Sequence, residues 1–214
     1  LADGDIQWMT AGSGIIHQEM PKGNNKGEMH GFQLWANLPS NQKMTAPRYQ
    51  DIKSKEIKSL FDDDGTIIKV IAGNYRGYNG PVDGISAEPE YLDIYIPPLK
   101  FKKFPFDTRR QGFAYIFEGE GNFNNASKPV GVKVEKEFQG QEIELRDLSG
   151  NRTLVVFDSG DEVAVQAGEN GVRFLLISGT PIKEPVAWHG PIVMNSQEEL
   201  RQAFNELNNG TFIK

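Results

Sequence analysis

The chain has 214 residues, 38% of them hydrophobic, enough to bury one or two cores of ordinary domain size. With 23 Lys and Arg against 29 Asp and Glu it carries a net charge of −6, which repels phosphate backbones and anionic lipid surfaces and argues against direct nucleic-acid binding. No apolar run approaches a membrane span, the first residues lack a signal-peptide pattern, and Cys is absent, so a cytoplasmic protein with only His and carboxylate metal ligands is expected.

The 23 Gly and 12 Pro are scattered between short apolar runs, as many turns joining many short strands require, so the expected class is all-β. Gly4-Asp5 is a turn signal, followed by a strand over Ile6 to Thr10, a second turn at Gly12-Ser13-Gly14, and another strand from Ile15 to Met20. A hairpin is the simplest reading of this stretch. Residues 22–27 are polar and glycine-rich, and Phe32 to Leu38 alternates as a half-buried strand should. Asp62-Asp63-Asp64-Gly65 resembles the start of a calcium loop without its later bidentate Glu, and reads as a hairpin turn. Further strands fit Thr66 to Ala72, Tyr91 to Ile96, Gly112 to Phe117, Thr153 to Phe157, Glu162 to Gln166 and Val172 to Ser178. A junction around Pro97-Pro98 divides an N-terminal domain, 1–97, from a second, 98–185, leaving 186–214 as a terminal turn and helix. In that last part Ser196 to Glu199 forms a capping box, and Leu200, Ala203, Phe204 and Leu207 recur at helical spacing until Asn209-Gly210.

An internal repeat links the two halves. Gly4-Asp5 falls on Gly160-Asp161, Ala11-Gly12 on Ala167-Gly168, and, with one inserted residue, Gly14 on Gly171. Two copies of one hairpin are implied. They differ at His17 and Glu19, which fall on Phe174 and Leu176. The strand and turn at Gly112 to Gly119 precede the second copy, whereas only three residues precede the first. If both domains share one plan, the first lacks its opening strands, and a chain of this fold should begin upstream of Leu1.

His17 and Glu19 lie two apart on the expected strand, so both point to one face. An imidazole and a carboxylate converging there suit Fe, Mn, Ni or Zn. The spacing alone also fits a solvent-facing strand, but the flanking Ile15, Ile16 and Met20 and the apolar residues of the second copy favour an inward face. His30 and His189 read as hydrogen-bonded structural histidines.

From Gly4 to Pro21, again over His30 to Pro39 and Lys43 to Gln50, and finally at Glu184-Pro185 and His189 to Asn195, the sequence closely resembles the pirin family. The resemblance implies a bicupin, two cupin-type β-barrels with a short C-terminal helix, the first barrel incomplete here. It also implies one metal in the N-terminal barrel, usually iron and expected as Fe(II), held by three His and one Glu. His17 and Glu19 match the last two of these ligands, and the preceding H-x-H pair would lie upstream of Leu1, so this chain as written is expected to bind metal weakly or not at all. The C-terminal barrel would be metal-free. The implied activity is that of a quercetin 2,3-dioxygenase acting on a flavonol, with Glu19 as ligand and as base for the flavonol proton, and Trp8, Met9, Gln33 and Trp35 lining the pocket. The alternatives are a redox- or metal-sensing protein that binds a transcription factor or metabolic enzyme, and an inactive fragment.

Overall fold

The computed structural model describes residues 2–18, 23, 25–86, 88–123, 130–131 and 148–213. It is mainly β, with one α-helix among the described residues. The strands are β1 (Ile6–Thr10), β2 (Arg48–Ile52), β3 (Ser59–Phe61), β4 (Ile67–Ala72), β5 (Asn74–Tyr75), β6 (Tyr78–Asn79) and β7 (Glu90–Ile96). They continue as β8 (Phe101–Pro105), β9 (Gln111–Asn122), β10 (Val130–Gly131), β11 (Ser149–Gly150) and β12 (Thr153–Val156). The chain closes with β13 (Glu162–Gly179), β14 (Ala187–His189), β15 (Ile192–Met194) and helix α1 (Gln197–Asn208). Two compact units result, one of residues 57–83 and 88–181, the other of residues 1–56, 84–87 and 182–214.

In the first of these units a nine-stranded antiparallel sheet runs β10-β12-β9-β13-β7-β4-β3, with β8 on β13 and β11 on β9. Sheet membership crosses residue 97, since β4 and β7 join β9 and β13. Alternate residues of each strand turn to one core: Ile68 and Val70, Leu92, Ile94 and Ile96, Ala114 and Ile116, and Phe174 and Leu176 are all buried. Phe174 is fully buried, edge-on to Phe104 (centroids 6.1 Å apart) and Phe123 (5.3 Å).

β13 corrects one expectation. Its residues 162–166 and 172–178 are not a hairpin but a single strand, whose register shifts between Ala167 and Val172. Before the shift β13 pairs with β8, after it with β7, and β9 lies along both parts. Gly119 and Gly171 allow the bend, with φ of 68° and 77°, and a Cβ on Gly119 would stand 2.1 Å from the Gly171 carbonyl oxygen. Glycines there bend the strand without reversing it, because both halves keep partners.

The Asp62 to Gly65 segment is the expected turn, between β3 and β4, closed by the Gly65 N–H donating to the Asp62 carbonyl at 2.9 Å. Its carboxylates are taken by cations: Lys102 Nζ lies 2.6 Å from Asp62 and 2.9 Å from Asp64, and Arg76 donates to Asp62 at 2.9 Å. Burial raises the Asp64 carboxyl, but hydrogen bonds from Lys102 and the Thr66 amide and the charge of Lys102 outweigh it and bring it to about 2.

The other unit holds the β1–β2 ribbon, the β14–β15 hairpin and α1. β1 forms where expected, but its partner is β2, with Trp8 opposite Gln50 and Met9 opposite Tyr49. Residues 15–18 form no strand, so the expected hairpin is replaced by pairing to a later segment. The alternating stretch 32–38 is likewise not a strand, and Phe32, Leu34 and Trp35 are exposed. Alternation marks a candidate strand, but a strand also needs a partner edge, and none pairs with it among the described residues. α1 matches its sequence signals. Ser196 Oγ accepts from the Glu199 amide, the Glu199 carboxylate accepts from the Ser196 amide, and Leu200 and Ala203 pack on Ala187 and Ile192.

This unit also explains four of the sequence motifs as structure. The Glu184 carboxylate accepts from the Ser40 amide (2.7 Å), the Ser40 hydroxyl (3.0 Å) and the Asn195 side-chain amide (2.9 Å). Lys43 is buried, and its ammonium donates to Asn37 Oδ1 at 2.8 Å and the Leu38 carbonyl at 2.9 Å. Burial lowers the Lys43 pKa, against the opposing charges of Glu184 and Glu199.

Phe174→Ala should cost about 3–5 kcal/mol in urea unfolding, whereas Phe61→Ala, at a residue 74% exposed, should change stability by less than about 0.5 kcal/mol. Acid unfolding reports on Lys102. Because the Asp64 pKa falls from 3.8 to about 2 on folding, the unfolded state binds more protons between these values, and this stabilisation is lost as pH falls through that window. Lys102→Met should lower stability at neutral pH and flatten the loss between pH of about 4 and 2, read from urea midpoints across that range.

Candidate metal site

The backbone leading to His17 is pinned by the turn after β1. Gly14 N–H donates to the Ala11 carbonyl and Ser13 N–H to the Thr45 carbonyl, both at 2.9 Å. Gly14 has φ 129°, and a Cβ on it would lie 2.5 Å from the Phe212 ring, so the C-terminal tail packs against the turn only because this position is glycine. His17 follows in irregular backbone and is exposed, without the strand pairing that was expected to turn it inward. Glu19 lies outside the described residues.

The expected pocket residues divide between two places. Trp8 and Met9 are half-buried neighbours on β1, so their side chains leave opposite faces of the ribbon. Gln33 and Trp35 are exposed in irregular backbone, Trp35 at 62%. Of the remaining histidines, His30 sets its ring edge-on to Phe32 at 5.1 Å, and His189 edge-on to Phe204 at 5.3 Å. Both contacts are aromatic, a role that spacing alone did not reveal.

The donor chemistry fits a divalent transition metal, since a neutral imidazole and a carboxylate are ordinary ligands for one. The geometry goes less far. Among the described residues no three His, Asp or Glu side chains gather into a group able to hold an ion. At the positions equivalent to His17 and Glu19 in the second copy of the repeat, Phe174 and Leu176 are buried in the apolar core. The corresponding face of that copy is therefore occupied by hydrocarbon. No described helix is long and apolar enough to cross a membrane.

Comparison with known proteins places this architecture. Residues 91–213 match the model of the pirin C-terminal cupin domain, and residues 1–36, which include His17, match that of pirin. The chain is 38% identical to a pirin-like protein of Caulobacter vibrioides, over 99% of this chain and 69% of that protein. It is 39% identical to Pirin-1 of Arabidopsis thaliana, over 96% of this chain and 65% of that protein. Its fold is similar to a crystal structure of quercetin 2,3-dioxygenase from Acinetobacter baumannii, with TM-score 0.73 and 28% identity, covering 98% of this chain and 67% of that one. Family models at both ends and identity sustained across nearly the whole length agree with the cupin-type β-fold, and the chain belongs to the pirin family.

Proposed function

We propose that the chain carries part of the metal site of an Fe(II)-dependent quercetin 2,3-dioxygenase. The observation that carries this reading is the likeness to the Acinetobacter baumannii quercetin 2,3-dioxygenase over 98% of the chain. In support, the segment matched by the pirin model contains His17, one half of an H-x-E pair whose donors suit iron.

In this proposal His17 and Glu19 are two of the protein ligands, and other divalent metals could be accepted by the same donors. A bound Fe(II) would supply a Lewis acid for the flavonol and a site for O2. The residues of the chain would do the rest. The Glu19 carboxylate takes the proton of the flavonol 3-hydroxyl, and, since Trp8 and Met9 leave opposite faces of β1, one of the two joins Gln33 and Trp35 as surface for the planar substrate. The reaction consumes one flavonol and one O2, opens the heterocycle and releases carbon monoxide with the ring-opened ester.

The full gene product, supplied with Fe(II) and quercetin, should consume O2 and release carbon monoxide in equal amounts. His17→Ala and Glu19→Gln should each reduce the rate roughly 100-fold or more, with iron content falling in parallel for His17→Ala. Iron binding that depends on His17 but brings no O2 uptake would overturn the dioxygenase reading in favour of a metal-sensing protein.

A further inference from the structure

The stretch that carries Gln33 and Trp35 belongs to no sheet, and among the described residues Gln33 to Ala36 make no hydrogen bond to another segment. It nevertheless holds Trp35 in water, with Phe32 and Leu34 also exposed. Irregular backbone with apolar side chains in water needs an anchor if it is to keep one conformation.

The anchor lies at the C-terminal end of the stretch. A 3-10 turn over Ser40–Gln42 brings Lys43 back onto the residues before it. Its ammonium donates to Asn37 Oδ1 at 2.8 Å and to the Leu38 carbonyl at 2.9 Å, while Asn37 Oδ1 also accepts from the Leu38 amide at 2.9 Å. A turn this short does not hold itself. Ser40 is fastened to the Glu184 carboxylate, which also accepts from Asn195, and the Asn195 backbone amide donates to Glu199 in the cap of α1 at 3.1 Å. A line of hydrogen bonds thus runs from the start of α1 to Asn37, within one unit.

Stability alone gives little reason for an ammonium here. Lys43 is 8% exposed, has no carboxylate at ion-pair distance among the described residues, and rests on two acceptors from half-buried residues. Exchanging a buried ionic group for hydrocarbon is often neutral for stability. What hydrocarbon does not supply is a fixed direction for Asn37 and Leu38.

We propose that Lys43 is a positioning residue: by clamping Asn37 and Leu38 it fixes the stretch 33–38 and so presents Gln33 and Trp35 to the flavonol. The identity of the ligand rests on the dioxygenase reading, whereas the clamp does not. Lys43 acts through Asn37 and Leu38 and takes no part in holding iron or moving a proton.

In the full gene product loaded with Fe(II), Lys43→Met should raise the KM for quercetin roughly tenfold and leave kcat and iron content within about twofold, because the surface it fixes contacts ground state and transition state alike. Asn37→Ala, which breaks the same bond from the half-buried side, should match it and serves if Lys43→Met does not fold. The double variant should be no worse than either single one, and Asn37→Asp, which keeps the accepting oxygen, should keep the unsubstituted KM. Hydrogen exchange at amides 32–38 should quicken about tenfold in Lys43→Met and stay unchanged in Ile192→Val, a loss in the apolar cluster of the same unit. A lysine that served stability alone would lower the active fraction, and with it the apparent kcat, at constant KM; that result overturns the proposal, as does unchanged exchange at 32–38. Absence of quercetin turnover in the unsubstituted protein overturns the dioxygenase reading instead, and exchange at 32–38 then decides the clamp, quickened exchange in Lys43→Met upholding it and unchanged exchange ending it.

Discussion

The larger unit depends on one strand keeping partners on both edges while it bends. β13 runs for 18 residues, and a strand that long must twist or bend if its two ends are to face one core. The register shift between Ala167 and Val172 does this, and Gly119 and Gly171 make room for it where any side chain would strike backbone. Because of that bend, Val163 and Val165 from one half and Phe174 and Leu176 from the other reach the same apolar cluster. β7, β8 and β9 are each positioned by pairing to β13.

The smaller unit is held by charge as much as by hydrocarbon. Its apolar cluster is modest: Ala187, Ile192, Leu200 and Ala203, with Met194, Phe204 and Phe212 beside them. Around it the Glu184 carboxylate gathers three donors from Ser40 and Asn195, and the buried Lys43 ammonium is satisfied by Asn37 and Leu38. Buried or half-buried charges persist when their hydrogen bonds are complete. Several residues of the motifs that resemble pirins therefore tie residues 37–43 to the C-terminal segment, and their chemistry is structural.

The two copies of the internal repeat show how one pattern serves two ends. In the second, Phe174 and Leu176 add dispersion and burial to a closed core; in the first, the equivalent positions carry an imidazole and a carboxylate, which bury poorly without a cation or hydrogen-bond partners. The two matched family models cover residues 1–36 and 91–213.

Features that depend on neighbours along the chain were legible in the residues alone. β1, β4, β7, β12 and α1 lie within a residue or two of their expected limits, because alternation, glycine turns and a capping box are local signals. The Asp62 to Gly65 turn was legible for the same reason, and so were the donor chemistry of His17 and Glu19 and the apolar character of Phe174 and Leu176. Pairing was set by tertiary contacts. It joined β1 to β2 instead of to residues 15–18, made one bent strand of the second supposed hairpin, and left Phe32 to Leu38 outside any described sheet. The structure also revealed strands β2, β3 and β8, whose short or charged sequences carry little alternation. Strand pairing joins residues far apart in the chain, and no local periodicity records which edge will meet which.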